Sequence, residues 1–391
     1  MLAFERSRRG LTLIELMITV AISSVVMLAA VQVVMMVSQS RRENERRLEV
    51  KSNAMSALAL IDFEARSAGY RFSSPVFATR WLNNVDGTEP ELTAAGNQIS
   101  TTANCGLADW GIAPGSDTIE FRLGSELVVP GSASPSPVAP STPTALLIAA
   151  TLNPFDGAGQ GAGELLLWTT GTASCLGRGG TGGVVGSSIP VQLVNQALTA
   201  ATLSAFPGCA APSTSYNLMR ATRRVRFLIC QPPASQPDAR PGLFQQVALG
   251  GAAFGVPQLV QEGVEDLQLA PVLDNAGPNP VTGTGCTAGR CVCNNSPGTT
   301  SACAEYDVNA SIVDGSAANA SRVAPFRLRA YDVAVTGISM RSRVGRGSNA
   351  VLERFVRPAL FDHAAGTALS GDLRTVERRV MALINLGVMN Q

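Results

Sequence analysis

The sequence has few of the residues that enzyme active sites and nucleic-acid-binding surfaces need. It contains one histidine, His363, and one lysine, Lys51, and its formal net charge is +1. A catalytic triad would have to use His363, which stands in the segment DHAAG without a nucleophile motif beside it. The balanced charge provides no broad positive field that would attract nucleic acid. We therefore predict no enzymatic activity, no cofactor and no nucleic-acid partner.

Glycine and proline are absent between Leu11 and Ala68, although the chain contains 38 glycines and 23 prolines. Because these residues most often interrupt helices, the stretch is predicted to form one continuous helix. At 1.5 Å per residue it would be roughly 85 Å long, against a bilayer hydrocarbon core of ~30 Å. Residues 11–37 are almost entirely apolar and residues 38–69 are amphipathic. We predict a transmembrane half and a second half that packs on a folded domain and ends at Gly69.

A charged leader, residues 1–10, directly precedes the apolar half. Arg6, Arg8 and Arg9 stand at this junction, so the positive-inside rule predicts a cytoplasmic leader and a body outside the cytoplasm. A secretory signal peptide has a shorter apolar core of about 7–15 residues and a small-residue cleavage site. An uncleaved single-span anchor would explain the length of the run but not Glu15, because an ionisable group inside a membrane needs a partner.

Cysteine is also absent from the helix, and all eight cysteines follow it. They are Cys105, Cys175, Cys209, Cys230, Cys286, Cys291, Cys293 and Cys303. An even number of cysteines in a loop-rich region behind a membrane segment is typical of disulfides in an oxidising, exported compartment. Four of them lie in a polar segment, residues 275–322, that we predict to be a disulfide-bearing loop. Their spacing, C-x4-C-x-C-x9-C, does not match paired C-x2-C zinc knuckles, and it leaves three connectivities open.

Other segments rich in small and polar residues give no ligand motif. Residues 130–143 and 177–188 are predicted surface loops, and the second lacks the Lys-Ser/Thr pair of a phosphate-binding loop. Asp274, Asn275 and Asp314 do not form the D-x-D-x-D-G pattern of a calcium loop. We predict no metal site, and calcium binding stays open as an alternative.

The segment RRGLTLIEL, residues 8–16, resembles the class III signal of type IV pilins and related pseudopilins. In that family a prepilin peptidase cuts on the cytoplasmic side after the glycine, here Gly10, and methylates the new N-terminal residue, here Leu11. The glutamate at the fifth position of the mature chain is Glu15. Phenylalanine is more usual where Leu11 stands. The resemblance implies that the chain is a substrate of this processing enzyme.

The chemistry of such processing would give Glu15 a partner. Cleavage after Gly10 frees an α-amino group that is positively charged near neutral pH. The free-energy cost of burying a carboxylate in hydrocarbon is far lower when it is paired with such a group than when it is unpaired. The amine could belong to the same chain or to a neighbouring subunit, so Glu15 is predicted to form an assembly salt bridge. The alternative is that Glu15 merely extends its side chain to the membrane interface.

The end of the predicted helix points to one subgroup within this family. ALIDFEARSAGYR, residues 59–71, is similar to the corresponding segment of PilW-type minor pilins, and residues 259–274, 331–343 and 372–386 are similar in character. This resemblance implies a minor pilin in the inner membrane and then in the pilus at the cell surface. It implies partners among the other minor pilins, the major pilin and a tip adhesin, within a priming complex for adhesion and twitching motility. The alternatives are a pseudopilin of type II secretion and a pilin-anchored exported adhesin or DNA-uptake subunit.

Short β-favouring runs separated by glycine, serine and proline dominate the rest of the chain. We predict strands at residues 118–123, 126–129, 145–150, 164–170, 223–230 and 243–249. Residues 376–386 suit a helix or a strand by periodicity, and the family resemblance implies a strand. The predicted fold class is α+β, with the long N-terminal helix packed on an antiparallel β-sheet domain, residues 70–391. One face of the sheet should bury against the helix while the other stays partly exposed.

Overall fold

The computed structural model describes the N-terminal helix and most of a β-rich body. The described residues are 12–69, 79–85, 105, 109–126, 145–147, 165–169, 174–179, 188–193, 217–236, 239–249, 254–275, 286–287, 289–292, 328–339, 361 and 372–383. In several strands only the backbone path is described. The chain divides into two units, Met1–Glu49 and Val50–Gln391.

Helix α1 runs without interruption from Leu13 to Ser67, as the absence of glycine and proline predicts. Gly69 ends it with a positive φ of 75°, a conformation that a glycine adopts without steric cost. The Gly69 N–H donates to the Arg122 carbonyl 2.9 Å away, so the chain leaves the helix directly beside a strand. The predicted stop at Gly69 is confirmed.

Two antiparallel sheets form the described body, which gives the predicted α+β class. The strands of the larger sheet are β1 Thr79–Val85, β2 Gly111–Ile112, β3 Ser116–Glu126, β4 Ala145–Leu147, β5 Leu165–Thr169, β6 Ser174–Gly179, β7 Ser188–Leu193, β8 Asn217–Gln231, β9 Gly242–Leu249 and β10 Gln258–Glu262. Their main order is β1-β3-β8-β5-β6-β7-β4, while β2 and β9 also pair with β8, and β10 pairs with β9. The smaller sheet contains β11 Val264–Asn275, β12 Cys286–Thr287, β13 Gly289–Val292, β14 Leu328–Ser339 and β15 Leu373–Ala382, in the order β12-β13-β11-β14-β15.

Residues 54–68, at the end of α1, pack on both sheets through one hydrophobic core. Alternation along β3 and β8 places Ile119, Phe121, Val225 and Phe227 in this core. The helix contributes small and branched side chains, and the smaller sheet contributes apolar side chains of β11, β14 and β15. The helical part of this core consists of Ala54, Ala57, Leu58, Ile61, Ala65 and Ala68. The amphipathic pattern of residues 50–68 is therefore explained by burial against the sheets.

In the described parts of β3 and β8, the face of the larger sheet opposite the core is also buried, where the sequence predicted partial exposure. Glu120, Arg122, Arg224 and Arg226 alternate with the core residues and are each at most 3% exposed. The guanidinium carbon of Arg226 lies 4.0 Å from the ring centroid of Phe254, and that of Arg224 lies 4.7 Å from it. The arginines are thus covered by an aromatic ring, which polar alternation in the sequence could not reveal.

Buried polar contacts join the two sheets. The Ser116 hydroxyl donates to Asp266 Oδ1 at 2.7 Å, and the Leu269 N–H donates to Asp117 Oδ2 at 2.7 Å. Gln268 Nε2 donates to the Gly115 carbonyl, also at 2.7 Å. These bonds fix β11 against the start of β3, where a buried polar atom without a partner would be costly.

Two predicted loops contain strands. Residues 177–179 belong to β6, and residues 286–287 and 289–292 form the hairpin β12–β13 inside the polar segment 275–322. In the second case the cysteines and Val292 favour extended structure more than the overall polarity of the segment suggests. Of the predicted strand at 126–129, Glu126 belongs to β3, and residues 127–129 lie outside the described residues.

Candidate functional site

The N-terminus of α1 is a capping box formed by Thr12 and Glu15. Glu15 Oε2 accepts from the Thr12 N–H at 2.9 Å and from the Thr12 hydroxyl at 3.0 Å. The Thr12 hydroxyl oxygen accepts in turn from the Glu15 N–H at 3.3 Å. The sequence signal, T-L-I-E, has the T-x-x-E spacing of a capping box, and our sequence interpretation missed it. Glu15 therefore caps the helix in addition to any role in assembly.

Both donors from Thr12 converge on the same carboxylate oxygen. Within the described part of the chain, Glu15 Oε1 receives no hydrogen bond, so it can accept from a further donor. Gly10 and Leu11, the predicted processing residues, lie outside the described residues. In the sequence, however, Leu11 directly precedes Thr12, so an amine on Leu11 would stand one residue before the cap.

The apolar half of α1 exposes its side chains on every face. Among the described residues, α1 is the one helix that is long and apolar enough to cross a membrane by length and composition. The Thr19 hydroxyl donates to the Glu15 carbonyl at 2.6 Å and the Ser24 hydroxyl donates to the Ala21 carbonyl at 2.8 Å. These two hydroxyls are thus satisfied within the helix, as a hydrocarbon environment requires.

Ion pairs connect the second half of α1 to both sheets. Glu64, which is almost fully buried, accepts from Arg223 of β8 through two bonds of 2.6 and 2.7 Å. Asp62 pairs with Arg66 at 2.9 Å and with Arg379 of β15 at 3.2 Å. The segment ALIDFEARSAG therefore supplies the two carboxylates that hold the end of the helix on the body.

Large apolar side chains also remain exposed on the half of α1 that packs on the body. Met55 is 54% exposed and Phe63 is 71% exposed, and both lie on the side of the helix away from its buried residues. Leu60 is exposed to a smaller extent. Exposed aromatic and thioether side chains of this size commonly mark a contact surface for another protein.

The disulfide Cys105–Cys230 is the centre of a small second core. Its Cα atoms are 6.2 Å apart, and both cysteines are fully buried with Trp110, Leu228 and Phe244. The rings of Trp110 and Phe244 lie 5.7 Å apart. The bridge joins the segment before β2 to the end of β8, so these two predicted disulfide candidates are brought together.

The remaining predicted cysteines are described less fully. Cys175 lies in β6, and Cys286 and Cys291 lie opposite each other in β12 and β13. Cys209, Cys293 and Cys303 lie outside the described residues. Pairing of these six cysteines stays a prediction at this point.

No described cluster offers an obvious metal site. Among the residues that the structure describes, no group of three or more His, Cys, Asp or Glu side chains could hold a metal ion. Asp274 and Asn275 belong to β11, whereas Asp314 and His363 lie outside the described residues.

Comparison with known families identifies the N-terminal segment. Residues 6–31 match the prokaryotic N-terminal methylation motif, which contains Gly10, Leu11 and Glu15. No curated protein and no solved structure matches the chain. The match covers the start of the chain and leaves the β-rich body without a known relative in these comparisons.

Proposed function

We propose that this chain, whose methylation motif indicates a prepilin of the type IV pilin and pseudopilin class, is a PilW-type minor pilin. It would belong to a priming or tip complex, with other minor pilins, on which major pilin polymerises and a tip adhesin is presented. The main observation in favour is the capped apolar helix, which carries the methylation motif at its start and a large two-sheet body at its end.

The capping box suggests how processing prepares the helix for assembly. Prepilin peptidase would cut after Gly10 and methylate the amine of Leu11, which then stands beside the Thr12–Glu15 cap. Among the described residues, Glu15 Oε2 is occupied by Thr12 and Oε1 has no donor, so Oε1 could accept from that amine or from the amine of a neighbouring subunit. Pairing lowers the cost of keeping the carboxylate in hydrocarbon, so it favours stacked helices over a lone one.

The exposed surface of α1 supports an assembly role. In the membrane, the apolar side chains of residues 13–37 contact lipid, and in a filament they would contact other helices. Lipid tails and leucine side chains are similarly apolar, so the exchange carries little hydrophobic penalty. Met55 and Phe63 are further exposed apolar side chains, on the part of α1 that packs on the body, and neighbouring pilin helices could cover them.

The size of the body favours a minor rather than a major subunit. Two sheets with at least fifteen strands and long connecting segments make a bulky unit to repeat along a thin helical filament. A subunit that is incorporated once, at the tip or in the priming complex, avoids that constraint. The same bulk provides surface for contacts with other minor pilins and an adhesin.

The processing step can be tested with a matched pair of leader variants. We expect Gly10→Val to leave the full-length precursor in the membrane, whereas Ala3→Val, a similar change away from the junction, should be processed normally. Intact mass of the purified protein distinguishes the methylated chain beginning at Leu11 from the precursor. A mature N-terminus at Leu11 in the Gly10→Val variant would overturn the signal assignment.

The assembly role requires a separate experiment. Deleting the gene should reduce the number of surface pili, and the wild-type gene should restore them, whereas the Gly10→Val variant should not. The methylation motif is shared with pseudopilins of type II secretion, so secretion of exported enzymes must be measured in the same strains. Normal piliation with lost secretion would replace the proposed function by the pseudopilin alternative. Normal piliation and secretion with lost adhesion or DNA uptake would favour an anchored binding subunit.

A further inference from the structure

We infer that Cys286 and Cys291 form a disulfide across the hairpin β12–β13, which closes the free end of the smaller sheet. The inference rests on the proposed function in one respect, since it requires export of the body to an oxidising compartment. It resolves the three connectivities that the sequence leaves open for the four cysteines of residues 275–322. The observation that carries it is the backbone register.

The register places the two cysteines directly opposite each other. Cys286 pairs with Cys291, and Thr287 pairs with Arg290, so two residues of sequence separate the closing pair Thr287–Arg290. In a two-residue hairpin the closing pair exchanges the backbone hydrogen bonds, and the pairs then alternate. Cys286 and Cys291, one position further from the turn, therefore form a non-hydrogen-bonded pair.

That kind of pair suits a disulfide. Opposite residues of a non-hydrogen-bonded antiparallel pair have Cα atoms about 4.5 Å apart, with Cβ atoms brought closer than at hydrogen-bonded positions. Disulfides span Cα distances of about 4.4–6.8 Å. By contrast, Cys293 lies two residues beyond Cys291 in the sequence and outside the described residues, so no described register places it opposite Cys286.

The hairpin needs a covalent closure more than the longer strands do. β12 contains two residues and β13 contains four, and β12 is the terminal strand in the order of the smaller sheet. Such short strands bury little surface, and a two-stranded hairpin alone is marginally stable in water. A disulfide would hold β12 on β13 and thereby preserve the pairing of β13 with residues 272–275 of β11.

The bond forms by thiol–disulfide exchange with an exported protein disulfide as oxidant. The thiolate of one cysteine attacks that disulfide and makes a mixed disulfide, and the second cysteine then displaces the reduced oxidant. Cys286 and Cys291 together lose two protons and two electrons, and the oxidant becomes a dithiol. Cys293 and Cys303 then remain as the other pair of the segment.

Tryptic mapping of the full-length protein tests this pairing. Arg290 lies between the two cysteines, so cleavage after it leaves them on separate peptides, residues 227–290 and 291–322, because trypsin does not cut the Arg240–Pro241 bond. The first peptide also contains Cys230, which carries the peptide of Cys105 through its own disulfide. The protein is alkylated without reduction, digested, and analysed by mass before and after reduction. In the wild-type chain we expect these peptides to be joined, with no alkylated cysteine.

Two single variants form a matched pair that identifies the partner. Cys291→Ser should separate the two peptides and leave Cys286 as the alkylated residue. Cys293→Ser should keep the peptides joined and leave Cys303 alkylated instead. The double variant Cys286→Ser/Cys291→Ser should contain no alkylated cysteine, because both members of one bridge are removed together.

The contrary outcomes separate this inference from the proposed function. Peptides that separate in Cys293→Ser, with Cys286 alkylated, would show a Cys286–Cys293 bridge and overturn the inferred pairing alone. Joined peptides in both Cys291→Ser and Cys293→Ser would show that Cys286 pairs with Cys303, with the same consequence. Alkylation of all eight cysteines in the wild-type chain would contradict export itself and with it the proposed function.

Discussion

Tyr331 is a buried group whose protonation is coupled to folding. It lies in the main core, and its hydroxyl is 2.8 Å from the Thr79 hydroxyl of β1. Burial raises the pKa of Tyr331 to about 12, from an ordinary value near 10, because the phenolate would lose its hydration. The folded state therefore holds the proton more tightly than the unfolded state. The resulting stability is fully present below pH 10 and is lost as the pH rises from about 10 to about 12.

We predict that Tyr331→Phe removes this alkaline loss of stability. Between pH 9 and pH 11 the free energy of unfolding of the wild-type protein should fall by about 1 kcal/mol more than that of the variant. At pH 8 the variant should be less stable by about 1 kcal/mol, since the bond to Thr79 is lost. Denaturant unfolding of the detergent-solubilised chain at several pH values measures both. Parallel pH profiles for the two proteins would refute the coupling.

Glu15 has two roles that can be separated by substitution. Glu15→Gln keeps an acceptor oxygen for Thr12 and so preserves the cap, but it removes the charge. Thr12→Ala removes the capping hydroxyl and keeps the charge. If the carboxylate pairs with a terminal amine, Glu15→Gln should reduce pilus incorporation by about tenfold or more, as loss of a charged hydrogen bond implies.

The matched comparison is made on processed protein. Both variants should be inserted and cleaved, which intact mass verifies, and incorporation is then quantified in sheared pili. Thr12→Ala should retain most of its incorporation. Equal losses in the two variants would assign Glu15 to helix capping and would argue against the assembly salt bridge.

At the scale of the element, the close approach of α1 to β14 depends on small residues. A Cβ atom at position 337 would lie 2.5 Å from the Val50 carbonyl oxygen, 3.1 Å from a Val50 methyl carbon and 3.2 Å from the Ala54 Cβ. The first distance is shorter than atomic contact allows and its neighbour is backbone, while the other two are tighter than most Cβ contacts. The helix therefore reaches this strand only because Gly337 has no side chain.

We predict that Gly337→Ala lowers the free energy of unfolding of the body by about 2 kcal/mol, because the helix must move away from the sheet. Gly111→Ala is the matched control, since a Cβ at position 111 meets no atom within 4 Å. That variant should stay within about 0.5 kcal/mol of the wild-type protein. Fluorescence-detected denaturation measures both, and equal stabilities of the two variants would contradict the packing argument.

At the scale of the whole molecule, the disulfide between Cys105 and Cys230 joins segments that lie 125 residues apart in the sequence. Closing a loop of this length restricts the unfolded chain strongly. We expect Cys105→Ala/Cys230→Ala to lower the free energy of unfolding by about 3–5 kcal/mol. Unfolding curves of oxidised wild-type and variant protein measure the difference. A change below about 1 kcal/mol would indicate that the small core around Trp110 holds these segments without the bridge.

Local signals in the sequence predicted the helix and much of the larger sheet. The absence of glycine and proline predicted the length of α1, and Gly69 predicted its end. The alternation in residues 118–123 and 223–230 predicted the central parts of β3 and β8. The T-x-x-E spacing of T-L-I-E is a local signal for the capping box as well, which an interpretation based on the charge of Glu15 alone does not predict. Contacts between residues far apart in the sequence could not be predicted from these local signals. The pairing of Cys105 with Cys230 and the contact of Phe254 with Arg226 depend on strand order, which no local pattern encodes.

The main core joins segments that are far apart in the sequence, which affects how fast the body folds. Residues 54–68 of the helix share this core with residues from 264 to 269, from 331 to 335 and from 381 to 383. These contacts span up to about three hundred residues of sequence, and folding slows as contacting residues lie further apart. Burial of the helix in this core is complete only once β15, which contributes Met381, has joined the smaller sheet. We therefore expect completion of this core, rather than formation of the helix, to limit how fast the body folds.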